Sequence, residues 1–153
     1  MFSGIASASL DAKGRMPLPT LYRDVVIGLA GGNVVVTIDV VEKCLMLYTA
    51  GEWDVVLRRL QKLPNVTSKK GRVLQRLLIG HATKLSLDSS GRILLPQAHR
   101  DYADLGKKVV TVGMGNKIEL WSADIWDAGM DDWLSPEGRA ELTDSDEFGS
   151  LQI

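Results

Sequence analysis

The sequence contains one cysteine, Cys44, among 153 residues. No disulfide can form within one chain, so the fold must stand on its core, and a reducing cytoplasm is the natural setting. Histidine is equally scarce, with only His81 and His99, and their spacing to each other and to Cys44 fits no metal-ligand pattern. Cys44 falls in an apolar strand pattern, where a buried inert thiol is the default. There is no Walker A loop and no dinucleotide glycine fingerprint. The chain therefore reads as a non-enzyme with no cofactor, no metal and no small-molecule substrate. No apolar run approaches the ~18 residues of a membrane span. The opening MFSGIASASLDAKGR lacks a basic start followed by an apolar block, so neither a membrane partner nor an export signal is expected.

Net charge is nearly absent too, at −1, but the average hides a division. Residues 1–123 hold 17 of the 18 Lys and Arg and 10 of the 19 Asp and Glu, a net of +7. Residues 124–153 hold one basic and nine acidic residues, a net of −8. A basic body with an acidic tail points to an anionic partner, or to a tail that serves solubility.

What the chain does have is an internal repeat. Residues 9–24, SLDAKGRMPLPTLYRD, match residues 86–101, SLDSSGRILLPQAHRD, at nine of sixteen positions. Further on, VVTI at 35–38 resembles VVTV at 109–112, and CLMLYTAGEW at 44–53 resembles KIELWSADIW at 117–126. Each copy predicts a strand, a tight turn, a short return strand, a helix opened by Pro19 or Pro96, and a hairpin. The helices are expected near 20–29 and 97–105. The first hairpin pairs 34–38 with 45–48, and the second pairs 109–112 with 117–121 across Gly113-Met114-Gly115-Asn116. Helical periodicity over 52–63, 68–79 and 122–134 supplies a connector and a C-terminal helix.

The turn carries the chemistry. In Asp-x-x-Gly-Arg the carboxylate can accept from nearby backbone N–H groups, and Gly14 or Gly91 can take a positive φ. Asp11 and Asp88 can then hold Arg15 and Arg92, each a planar, permanently charged group able to grip a phosphate or a guanine edge bidentately. One such turn can be a simple staple. Two related Arg tips suit a two-fold ligand such as duplex DNA.

The motif D-x-x-G-R-x-x-L-P, followed by a helix and a hairpin and present twice, resembles the MraZ family from Phe2 to about Leu134. That resemblance implies α+β architecture, with two tandem SpoVT-AbrB-type swapped-hairpin β-barrel repeats forming a pseudo-dimer within one chain. The implied boundaries are 5–52 and 81–124 for the repeats, 53–80 for the helical connector and 125–134 for a C-terminal helix, with 135–153 a flexible acidic tail. The resemblance further implies a cytoplasmic, nucleoid-associated transcriptional repressor. It would assemble as a ring-shaped homo-oligomer and bind short double-stranded DNA repeats upstream of the division and cell-wall gene cluster, its own gene included. The DNA-contacting element then falls on Asp11–Arg15 and Asp88–Arg92. One position departs between copies: Lys13 of the first is Ser90 in the second, so the first tip is the more basic.

Other residues leave alternatives open. Arg23 and Arg100, at matched offsets, either reach phosphates or pair with Asp24 and Asp101. The connector cations Arg58, Arg59, Lys62, Lys69, Lys70, Arg72 and Arg76 support DNA, line a solvated helix face or meet another subunit. The tryptophans at 53, 121, 126 and 133 read as core or interface anchors. The rival functional reading is an AbrB-like antitoxin or interaction module that uses the acidic tail.

Overall fold

The computed structural model describes residues 1–64, 67–144, 146–149 and 151. Eight strands and six α-helices follow in order: β1 (Ile5–Ser9), β2 (Arg15–Pro17), α1 (Thr20–Ala30), β3 (Asn33–Ile38), β4 (Leu45–Thr49), α2 (Ala50–Gln61), α3 (Lys69–Leu78), β5 (Thr83–Ser86), β6 (Arg92–Leu94), α4 (Gln97–Tyr102), β7 (Lys108–Gly113), β8 (Ile118–Ser122), α5 (Ala123–Trp133) and α6 (Pro136–Thr143). The α+β class expected from the sequence is the one observed.

Six strands form one antiparallel sheet in the order β1-β7-β8-β4-β3-β5. Read backwards, that order exchanges each strand for its counterpart in the other repeat. The sheet therefore carries a pseudo-two-fold between β4 and β8, where Met46 faces Glu119. Each repeat keeps its own hairpin, β3–β4 and β7–β8, but sends its first strand to the other: β1 pairs with β7, and β5 with β3. The strands flanking the Asp turns thus do not pair with one another. The turns join strands that diverge, and β2 and β6 pair across the pseudo-two-fold as a separate two-stranded ribbon.

These pairings do not close into the barrel that the resemblance implies. β1 and β5 lie at opposite ends of the sheet, and the ribbon is a ladder of its own. The ribbon stays short because Pro19 and Pro96 end the strands.

Alternation along the sheet separates two apolar layers. Val34, Val36, Leu45, Leu47, Ile118 and Leu120 face the main core, which Met16, Leu18, Ile93 and Leu95 complete from the ribbon side, with Tyr22 and Val26 from α1. On the opposite face Val35, Met46 and Tyr48 pack under Trp53 and Leu60 of α2 and Leu78 at the end of α3. There too, Cys44, Val110, Val112 and Trp121 pack under Ile125 and Trp126 of α5. The ribbon with α1 and α4 is one outer layer, and α2, α3 and α5 are the other. No helix among the described residues is long and apolar enough to cross a membrane.

The acidic tail, expected to be flexible, contains α6 and a turn of 3-10 helix over Asp146–Phe148. Ser135 caps α6, its hydroxyl accepting from the Gly138 N–H at 3.0 Å, and Pro136 occupies the first turn.

Candidate nucleic-acid interface

The ribbon pairs Arg15 with Leu94, Met16 with Ile93 and Pro17 with Arg92. Side chains alternate on a strand, so Met16 and Ile93 point inward and are fully buried, while Arg15, Pro17, Arg92 and Leu94 share the outer face. Two guanidinium groups therefore sit at diagonal corners of one small surface. Strand rise and spacing put their Cα atoms roughly 8 Å apart.

Each Arg is held by its own turn. Asp11 Oδ1 accepts from the backbone N–H of Lys13 and of Arg15, both at 2.9 Å, while Oδ2 accepts from Arg15 Nε at 3.0 Å. Asp88 does the same with Ser90, Arg92 and Arg92 Nε, all at 2.9 Å. Two backbone hydrogen bonds close each turn: Asp11 N–H to Arg15 O with Gly14 N–H to Asp11 O, and Asp88 N–H to Arg92 O with Gly91 N–H to Asp88 O. These donors hold both carboxyl groups below the usual aspartate range, the backbone N–H of the Arg contributing most. Because Asp occupies only Nε, neither terminal nitrogen of Arg15 or Arg92 has a hydrogen-bond partner among the described residues. The free end of a guanidinium is the part that reads guanine O6 and N7.

The two turns are also bolted together. Leu18 N–H donates to Gly91 O and Leu95 N–H to Gly14 O, both at 2.9 Å. Gly14 (φ +86°) and Gly91 (φ +73°) lie against an Arg of the opposite repeat. A Cβ on Gly14 would come within 2.8 Å of the Arg100 guanidinium, and one on Gly91 within 2.5 Å of Arg23 Nε. The structure thus puts Arg23 and Arg100 beneath the turns. Arg23 donates through Nε (3.1 Å) and Nη2 (2.8 Å) to Leu18 O, and Arg100 through Nε (3.1 Å) to Leu95 O. Neither forms an ion pair with Asp24 or Asp101 among the described residues, and the Asp101 carboxylate instead accepts from Gln97 Nε2 at 2.7 Å. Lys13 stands exposed at the tip of the first turn.

The connector cations are not part of this surface. They lie on α2, on α3 and between them, in the layer across the six-stranded sheet from the ribbon. The tryptophans are in that layer as well: Trp53 and Trp121 are buried, and Trp121, Trp126 and Trp133 meet edge to face. Cys44 is fully buried, and burial raises its thiol pKa far above the normal range. Its neighbours are the carboxylates of Asp39 and Glu119, a grouping that sequence spacing did not bring out. Sequence reasoning also missed Pro17 and Leu94, the apolar part of the ribbon's outer face. The only signal for them was their alternation with Met16 and Ile93.

A two-stranded ribbon is narrow enough to enter a B-form major groove, about 12 Å wide. This one offers two fixed donor forks and a small apolar patch on a single face.

The family model described as "MraZ protein, putative antitoxin-like" matches residues 1–76 and 78–140. Among curated proteins, the "Transcriptional regulator MraZ" of Alkalilimnicola ehrlichii is 52% identical over 153 residues, covering the whole of both chains. The protein of the same name from Marinomonas sp. is 47% identical over 142 residues, 93% of each chain. That of Legionella pneumophila is 46% identical over 144 residues, 94% of this chain and 93% of the relative.

Proposed function

This chain belongs to the MraZ family, and from that premise we propose that it is a transcriptional regulator that reads duplex DNA with the β2–β6 ribbon. Its relatives are named as transcriptional regulators. The observation that carries the reading is the pair of Asp-anchored guanidinium groups on one exposed face, each with its terminal nitrogens unengaged. Arg15 and Arg92 contact base edges in the major groove. Lys13 contributes a phosphate contact. Asp11 and Asp88, with Gly14 and Gly91, hold the forks at fixed angles. Arg23 and Arg100 brace the turns from below and add positive potential behind them.

The exchange of β1 and β5 between halves, with pairing of β2 to β6, supports reading residues 5–52 and 81–124 as two SpoVT-AbrB-type units joined into an intrachain pseudo-dimer. A two-fold reader offers few contacts by itself, so we assign it to a homo-oligomer that gains avidity on repeated DNA boxes. On the family resemblance, those boxes lie upstream of the division and cell-wall gene cluster and the bound state represses, in the cytoplasm at the nucleoid.

The test is a gel shift with the DNA upstream of the protein's own gene and unrelated DNA as competitor. Arg15→Ala is expected to reduce selective binding about tenfold while fold and assembly persist. Undiminished selectivity would refute the role. Binding is also expected to fall steeply with salt as phosphate contacts release counterions, and a flat dependence would count against it.

A further inference from the structure

Three α-helices have no fully buried side chain: α3, α5 and α6. α5 still packs Ile125 and Trp126 against the sheet, whereas α3 and α6 leave apolar side chains uncovered. α3 carries Lys69, Lys70, Arg72 and Arg76 and no acid. Its apolar side is open. Val73 and Leu77 remain more than a third exposed, and with Leu74 and Val40 of the β3–β4 loop they line a shallow apolar groove edged by Lys69 and Lys70. Next in the same loop, Val41 is 84% exposed.

The chain's other end is the electrostatic opposite. Residues 136–148 hold five acidic residues against one Arg. Their apolar side chains are also uncovered, Leu142 at 54% and Phe148 at 45% exposure. An eight-residue helix is marginal by itself, and α6 gains little from its own chain. It is tied to the end of α5 through Ser135 Oγ to Asp132 O (2.6 Å) and Arg139 Nε to Leu134 O (2.8 Å). α5 lies over β7 and β8, whereas the α3 groove opens beside the β3 end of the sheet.

We propose that the acidic C-terminal segment of one copy docks in the α3 groove of another, Leu142 and Phe148 covering Val73 and Leu77 while Glu141 and Asp144 face Lys69 and Lys70. The proposal rests on the self-association included in the preceding reading and names the surfaces that make it. Charge complementarity selects the partner and apolar burial holds it. The α3 groove lies across the sheet from the ribbon, so the contact leaves the DNA-reading face open.

The experiment is sedimentation velocity on the full chain without DNA, across a concentration series in low and high salt. Lys69→Glu with Lys70→Glu is expected to weaken self-association about tenfold or more, and Glu141→Lys with Asp144→Lys to do the same, by setting like charges opposite each other. The four-fold variant, with the signs exchanged, is expected to recover assembly. Circular dichroism of each variant is expected to match the parent, and recovery in the four-fold variant separates lost docking from lost folding. High salt should weaken the parent's assembly and relieve the defect of the charge-reversed pairs. Unchanged assembly in either charge-reversed pair, or failure of the four-fold variant to recover, would overturn the proposal and give the groove to a different acidic partner. Because no DNA is present, such a failure does not touch DNA reading, which the Arg15 gel shift tests separately.

Discussion

The Asp11–Arg15 turn and the Asp88–Arg92 turn share every backbone bond and differ in what stands beneath them and at their tips. In both, one aspartate oxygen takes two N–H groups and the other takes Nε of the Arg, at 2.9–3.0 Å. Beneath the first turn Arg100 makes one hydrogen bond to Leu95 O. Beneath the second, Arg23 makes two to Leu18 O. The helix carrying Arg23 has eleven residues and ends on a left-handed Gly31, while the helix carrying Arg100 has six. At the tips, Lys13 of the first turn stands where the second has Ser90. The reading element is thus symmetric where geometry is needed and asymmetric where charge and stiffness are set. The first turn is more basic and less firmly braced, and the second more rigid and less charged.

Removing both Arg forks should break the comparison outright. A good bidentate base contact contributes ~1–3 kcal/mol of discrimination. Arg15→Ala with Arg92→Ala is therefore expected to lose selectivity by about a hundredfold or more in competition gel shifts, and each single change by about tenfold. If one single change had the full effect of the double, only one turn would be reading bases.

The glycines test the braces. Ala at position 14 or 91 must take a positive φ and displace an Arg, at about 1–3 kcal/mol. Gly91→Ala should cost more, because Arg23 is pinned by two hydrogen bonds and meets the added Cβ at 2.5 Å. In thermal unfolding this means a Tm lower by roughly 2–4 °C per kcal/mol at this chain length, with Gly14→Ala the milder. Equal losses would show that the two floors are equivalent.

Much of this surface was legible in the chain. The nine matched positions located both turns and both Arg tips. What could not be read was the partner of each three-residue strand. Nothing local in Arg15–Pro17 says that it pairs with Arg92–Leu94 seventy-seven residues away rather than with β1, because that choice is made by the packing of the ribbon on the whole sheet. The same holds for Arg23 and Arg100. Their neighbours in sequence are aspartates, but their neighbours in space are a carbonyl and the opposite turn's glycine. In the tail, composition suggested flexibility, while Ser135-Pro136 and Gly138 supplied a cap strong enough for a short helix.

A third contrast separates the cores under the two turns. Tyr22 of α1 donates its hydroxyl to Gly4 O at 2.5 Å, and at the matching place in α4 His99 Nε2 lies 2.6 Å from His81 O. His99 is buried, its Nδ1 has no hydrogen-bond partner among the described residues, and burial lowers its pKa below the usual histidine range. The unfolded chain then binds the proton more readily. Stability from this group is fully present above the ordinary histidine pKa near 6.5 and is lost as pH falls from there through the lowered folded value. Asp11 and Asp88, held below the usual carboxylate range, keep their contribution until pH falls below about 4. Chemical denaturation at pH 7.5, 6.5 and 5.5 should therefore show a plateau followed by a decline. Amide exchange should quicken in α4 and not in α1. A decline shared equally by both helices would remove His99 as its source.

The smallest expected effect is the most discriminating. Lys13→Ser should reduce affinity for all sequences by a similar few-fold factor and lower the salt slope by about one, the signature of a lost phosphate contact. Ser90→Lys should do the reverse. The informative variant carries both changes, which moves the lysine from one turn to the other without altering net charge. If the turns differ only at their tips, the exchanged protein binds a symmetric DNA site with the parent's affinity and slope. The floors, however, are unequal. A lysine above the doubly braced Arg23 turn is carried on a stiffer support than one above Arg100, so less of its freedom remains to be lost on binding. The exchanged protein should then bind slightly tighter than the parent at the same slope, and titration at two salt concentrations separates that gain from any change in the number of phosphate contacts.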